Sequence, residues 1–233
     1  MATETSFQDR AQRAGELHAA VAQLTPAYAP PDVKFSTASF TLAISMAETA
    51  NGTVESTRIP FADLTDDREQ LAKEIGPLVT QSLAYVKSNT AWAKRYEAVK
   101  NAADKVRGVR PVKKKSGDPE PDKKRREQGE RSYVEIAGFF RTYVSRVGAL
   151  AGYAPPDGKI AEDSLSDKYE ELNALNRAIP AASQALADAI SDREDIFTGA
   201  TGLKFVFDGV KTSVKGQYGQ NSTQFRSVSG MRW

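Results

Sequence analysis

The sequence predicts an all-α protein built by tandem duplication, and three observations carry that reading. Tyr28-Ala29-Pro30-Pro31-Asp32 recurs as Tyr153-Ala154-Pro155-Pro156-Asp157, 125 positions downstream. The offset then holds without a gap: Ser39 meets Ser164, Asn51 meets Asn176, and Asp67-Arg68-Glu69 meets Asp192-Arg193-Glu194. Apolar residues step by threes and fours through most of the chain, the spacing of one helix face. A strand signal competes only at Lys204-Phe205-Val206-Phe207, whose neighbours keep helical spacing. The expected organisation is a first helical repeat over 1–112, a basic Pro/Lys-rich linker over 113–126 and a second repeat over 127–233. The two halves are expected to carry antiparallel long helices.

Taken in order, residues 5–24 place Phe7, Ala11, Ala14, Leu17, Val21 and Leu24 on one face and predict a helix. Pro26, Pro30 and Pro31 then deny backbone donors and end it. Asp32 and Asp157 follow the Pro-Pro stops where helix N-caps are expected. Tyr28 and Tyr153 are expected to tuck against the helix that follows, with Pro30-Pro31 and Pro155-Pro156 setting the approach.

In the second copy Leu172, Leu175, Ile179, Ala182, Leu186, Ala189, Arg193 and Ile196 form a seam of alternating steps. The first-copy seam runs Ala47, Ala50, Val54, Thr57, Phe61, Leu64, Arg68 and Leu71. Pro180 inside one and Ile59-Pro60 inside the other predict a kink or a break. Arg68 and Arg193, at the same seam position, are expected either to pair with a carboxylate across the bundle or to snorkel to water. Gly76-Pro77 and Gly199 to Gly202 are expected to end the two long segments. A further helix follows in each copy, the second stopping near Tyr218-Gly219 and resuming through Phe225 and Val228. A helix over about 127–150 plays the part of residues 5–24 for the second copy.

Composition narrows the chemistry. The chain has 233 residues, 40% apolar and 27% charged, the balance of a soluble globular protein. No apolar run approaches the roughly 20 residues that span a bilayer, so no membrane insertion is expected. With no cysteine there is no disulfide and no thiolate ligand, which suits a cytoplasmic location. The single histidine, His18, has no second histidine or cysteine with which to share a metal. No phosphate-binding loop or nucleophile elbow is present. No enzyme activity, cofactor or metal is expected.

Charge is distributed unevenly. Asp32 to Glu74 holds four basic and eight acidic residues, and Asp157 to Asp195 holds four and ten. The closing segments invert this, with seven basic against two acidic from Leu78 to Arg110 and five against one from Leu203 to Trp233. Such faces can neutralise one another within the fold or complement another subunit. Lys113, Lys114 and Lys115, with Lys123, Lys124, Arg125 and Arg126, form two basic clusters that could contact an anionic partner, although Asp118, Glu120 and Asp122 dilute their field.

Tyr153-Ala154-Pro155, the Asp192-Arg193 step, Gly202-Leu203, Val214-Lys215 and the closing Phe225 to Gly230 together resemble uncharacterised bacterial tandem helical-repeat proteins. The resemblance covers most of both copies, implies the duplication, and adds no catalytic residue. The expected function is that of a non-enzymatic, self-associating structural or scaffold protein that forms homo-oligomers. The alternative is a nucleic-acid-binding helical protein that uses the basic linker and closing segments, with Trp92, Tyr96 and Phe225 as stacking groups.

Overall fold

The structure is a computed structural model that describes residues 4–109 and 132–233. Among these residues all regular structure is helical: α1 (Glu4–Ala22), α2 (Thr37–Ser88), α3 (Ala93–Arg107), α4 (Tyr133–Gly148), α5 (Glu162–Thr198), α6 (Leu203–Tyr218) and α7 (Thr223–Ser229). Single 3-10 turns lie at Val33–Phe35, Thr90–Trp92 and Gly158–Ile160. The expected all-α class holds, and Lys204 to Phe207 is helical. No helix among the described residues is long and apolar enough to cross a membrane. The basic segment 113–126, with Lys113, Lys114, Lys115, Lys123, Lys124, Arg125 and Arg126, lies outside the described residues.

The long helices are not broken at their prolines. α2 runs for 52 residues through Pro60 and through Gly76-Pro77, and α5 runs for 37 through Pro180. An interior proline costs about 3 kcal/mol of helix stability. Against that, Leu71, Ile75, Val79, Leu83 and Val86 keep one face of α2 buried across Pro77. Each such side chain contributes about 1.5–3 kcal/mol when fully buried, so burial outweighs the break. The expected stop at Gly199 to Gly202 does occur, between α5 and α6. A Cβ on Gly199 would lie 2.5 Å from the Asp195 carbonyl oxygen, and one on Gly202 would lie 2.7 Å from that of Ile196. Glu74 and Pro77 stand 125 positions upstream, and there the helix continues. Gly202→Ala is therefore expected to cost about 1–3 kcal/mol, as overpacking against backbone does, read as a lower urea midpoint at unchanged slope.

The packing divides the chain into two compact units, Met1–Phe61 with Ala182–Trp233, and Ala62–Ala181. Each unit therefore takes chain from both sides of the linker. The repeat limits 1–112 and 127–233 describe sequence, whereas the cores cross them.

In the first unit, α1 buries Phe7, Ala11, Ala14, Leu17 and Val21 in one cluster with Phe40 and Ala47 of α2, Phe197 of α5, and Leu203, Val206, Phe207, Val210 and Val214 of α6. Phe7 meets Phe197 edge to face at 4.9 Å between ring centroids. In the second unit, Ala137, Phe140, Tyr143, Val147 and Leu150 of α4 and its C-terminal turn share a core with the C-terminal part of α2, with α3, and with Leu165 and Leu172 of α5. Ser132 begins α4 with a capping box: its hydroxyl accepts from Glu135 N and the Glu135 carboxylate accepts from Ser132 N.

Candidate functional site: the two Tyr-Ala-Pro-Pro-Asp segments

A proline-rich segment has few N–H groups to give, yet its carbonyls still require donors. Side chains from the opposite sequence half meet that need at, and just before, the two Tyr-Ala-Pro-Pro-Asp segments. In the second unit, Tyr85 Oη donates to Ala154 O at 2.9 Å and Trp92 Nε1 donates to Ala151 O at 3.1 Å. Gln81 Nε2 donates to Asp157 Oδ2 at 2.7 Å. The Tyr85, Trp92 and Tyr153 rings lie 5.6–5.8 Å apart in tilted and edge-on contacts.

In the first unit the Gln217 side-chain amide bridges the backbone on either side of Tyr28. It donates to Ala27 O at 3.0 Å and accepts from Ala29 N at 2.9 Å. Tyr218 Oη donates to Pro26 O, and Gln224 Nε2 donates to Thr25 O at 2.9 Å.

Both motif tyrosines reach forward to the 3-10 turn that follows, short of the long helix. Tyr28 Oη donates to Phe35 O at 3.0 Å, and Tyr153 Oη donates to Ile160 O at 2.7 Å. Both rings are half-buried. Burial pushes both phenols above their ordinary value. Asp32 and Asp157 do cap, but they cap the 3-10 turns that precede α2 and α5. Asp32 Oδ1 accepts from Lys34 N at 2.9 Å, and Asp157 Oδ1 from Lys159 N at 3.0 Å. The expected caps of the long helices are corrected accordingly: each aspartate closes a local turn two residues on. The Lys159 N–H, followed by the Gln81 amide, holds the Asp157 carboxyl below its usual value. Its contribution to stability is present above the ordinary carboxylate range and is lost as pH falls through that lowered value. Pro30 and Pro155 are half-buried, and Pro31 and Pro156 are exposed.

A chain of hydroxyls sits behind the second segment. Each hydroxyl has one hydrogen to give. Tyr153 spends its hydrogen on Ile160 O, so Ser82 donates to Tyr153 Oη at 2.8 Å and Tyr143 donates to Ser82 Oγ at 2.7 Å. Ser82 and Tyr143 are fully buried. Burial raises the Tyr143 phenol strongly, and the Ser82 hydrogen bond offsets only part of that. In the first unit Tyr28 hydrogen-bonds Ser213, and Phe207, 125 positions after Ser82, is buried, as is Leu17.

Both seam arginines lie over aromatic rings. The Arg68 guanidinium lies 4.2 Å from the Tyr133 ring centroid, and that of Arg193 lies 4.2 Å from Phe7. Arg193 is buried, so stacking on a ring face lets a cation enter the core edge. His18 Nε2 meets Thr41 Oγ1 at 2.9 Å, and its ring packs edge-on to Phe40. Trp92 is buried and its N–H is engaged, which removes it as a base-stacking group; Tyr96 and Phe225 are half-buried.

Sequence reasoning missed Gln81, Ser82, Tyr85, Tyr143, Gln217, Tyr218 and Gln224. One signal was present: Ser82 is a hydroxyl amid the buried Val79, Leu83 and Val86, and Tyr143 lies mid-face on α4. A hydroxyl on an apolar stripe asks for a partner. Among the described residues no group of three or more His, Cys, Asp or Glu side chains could hold a metal ion. Comparison with protein-family models, with curated proteins and with solved structures gave no match.

Proposed function

We propose that the protein is a non-enzymatic, self-associating structural or scaffold protein, assembled from a duplicated helical repeat with antiparallel long helices. The observation that carries this reading is that each compact unit is itself an association of the two sequence halves. The matched contacts support the duplication. Tyr28 to Phe35 O corresponds to Tyr153 to Ile160 O, the Asp32 turn to the Asp157 turn, and the Arg193–Phe7 stack to the Arg68–Tyr133 stack. The buried faces of α1 and α4 support it too: Ala11, Ala14, Leu17 and Val21 have the spacing of Ala137, Phe140, Tyr143 and Val147. α2 begins in the first unit and ends in the second, while α5 does the reverse, which supports the antiparallel course.

Surface chemistry favours association over catalysis. Leu42 is 62% exposed and Met46 48% exposed, on the same side of α2 one turn apart. Met46 also borders a shallow depression with Ala50, Ala189 and Ile196, so a small apolar surface faces water.

Light scattering over a concentration series, at low and at 1 M salt, tests the proposal. Oligomers are expected. Those held by opposite charges weaken as the Debye length falls from about 10 Å at 0.1 M to about 3 Å at 1 M, and those held by apolar contacts persist. A strict monomer at every concentration overturns the reading. A monomer that shifts a labelled DNA or RNA duplex at low salt, with log affinity falling linearly in log salt, replaces it with nucleic-acid binding.

A further inference from the structure

Many of the contacts that hold each unit together run between the two sequence halves. In the first unit they include the Gln217 amide around Tyr28, Gln224 on Thr25 O, Phe7 against Phe197, and Arg193 over Phe7. In the second they include Tyr85 and Trp92 on the Ala151 to Ala154 backbone, Ser82 with Tyr143 and Tyr153, and Lys168 with Glu74 at 3.5 Å. Gly209 leaves room for the Phe35 ring, which a Cβ at that position would overlap. A Gly on one half therefore accepts an aromatic side chain from the other. These are interfaces between two pieces of chain, each complementary to the other, connected covalently only through 110–131.

From this we propose that the interface used in self-association is the one between the halves. Residues up to 109 of one chain pair with residues from 132 of a second, and the second chain's first half pairs with the first chain's second half. The proposal rests on the self-association reading and names its surface and its partner, a second copy of this chain. The physical basis is that closed and exchanged forms contain the same hydrogen bonds, ring contacts and buried side chains. Their free energies differ only by the tether and by the cost of bringing two chains together. The tether favours pairing within one chain when the protein is dilute. Concentration favours exchange. The smallest closed product is a dimer, in which every half finds its partner and no new surface is required.

The absence of cysteine allows a direct test. Ala29 and Gln217 are both exposed and touch across the halves. Full-length Ala29→Cys chains and full-length Gln217→Cys chains are mixed, unfolded, refolded together at high concentration, and treated with a short bismaleimide. The double variant Ala29→Cys/Gln217→Cys at low concentration is the control, and it must cross-link within one chain. Gln81→Cys mixed with Asp157→Cys repeats the experiment in the second unit, so that one poorly folding variant does not decide the result. The expected result is a covalent species of twice the chain mass in both mixtures, growing with refolding concentration. Oligomers by light scattering without that species, while the control cross-links, overturn exchange and leave self-association through another surface. A monomer at all concentrations, cross-linking only internally, overturns both.

Discussion

Phe197→Ala is expected to lower the unfolding free energy by about 3–5 kcal/mol, the range for removing a fully buried Phe. Phe197 is wholly buried, meets Phe7 edge to face at 4.9 Å and lies 6.4 Å from the Trp233 ring. Phe7 belongs to the first sequence half and Phe197 to the second, so the substitution removes a contact between the halves as well as opening a cavity. Urea denaturation followed by circular dichroism measures the loss. A double-mutant cycle with Phe7→Ala is expected to give a coupling of about 0.5–1.5 kcal/mol for the ring pair itself. Val33→Ala, at a side chain 75% exposed, is the control and is expected to stay within about 0.5 kcal/mol of the parent. Equal losses at positions 33 and 197 would contradict this core.

Ser82→Val is expected to cost about 2–4 kcal/mol, because it breaks a hydroxyl chain at its middle and leaves two tyrosine hydroxyls short of a partner at about 1–3 kcal/mol each. Tyr143 then has only the longer 3.4 Å approach to Val79 O, and Tyr153 keeps its bond to Ile160 O but loses a donor. In the first unit Phe207 and Leu17 are both buried, a wholly apolar pair. Ser82→Phe combined with Tyr143→Leu is therefore expected to be tolerated better than Ser82→Phe alone, since replacing both partners leaves no polar group stranded.

The same network sets a limit at high pH. Burial raises the folded-state pKa of Tyr143 and Tyr153 above the ordinary phenol value of about 10. Their contribution is full below the unfolded pKa. Above it the unfolded chain sheds protons that the folded chain keeps, and stability falls until the folded pKa is passed. Urea midpoints are expected to fall as pH rises above about 10, and to fall less in Tyr143→Phe. An unchanged slope with pH in that variant would contradict the assignment.

How much of the fold and of the site is legible in the sequence depends on what a local pattern can encode. Spacing identifies the buried faces, so Phe7 to Val21 and Leu172 to Ile196 are readable as helix faces from the amino acids alone. Local chemistry identifies the aspartates as caps, though of short turns. Pro77 misleads as a stop because a breaker's local cost is visible in sequence while the burial that offsets it is not, and at Pro60 and Pro180 the helices likewise continue. Glycine tells the true stop from the false one only through contacts: Gly199 and Gly202 press on backbone carbonyls, whereas nothing lies within 4 Å of a Cβ on Gly76. The arginine seam positions are found by periodicity, but their aromatic partners lie on α1 and α4, and periodicity does not name the opposite face. Pairing between halves is hidden for the same reason. A repeat fixes which elements are alike, and two similar halves can each fold on themselves or pair with one another using the same pattern.

Cleaving the chain once between the halves tests that pairing most directly. A protease site placed within 113–126 of the full-length protein is cut under native conditions, and the product is passed through size exclusion with light scattering. The predicted result is that both fragments co-elute, with the circular dichroism and urea midpoint close to those of the intact chain, because each core contains both fragments. Two separately eluting, folded halves would contradict it.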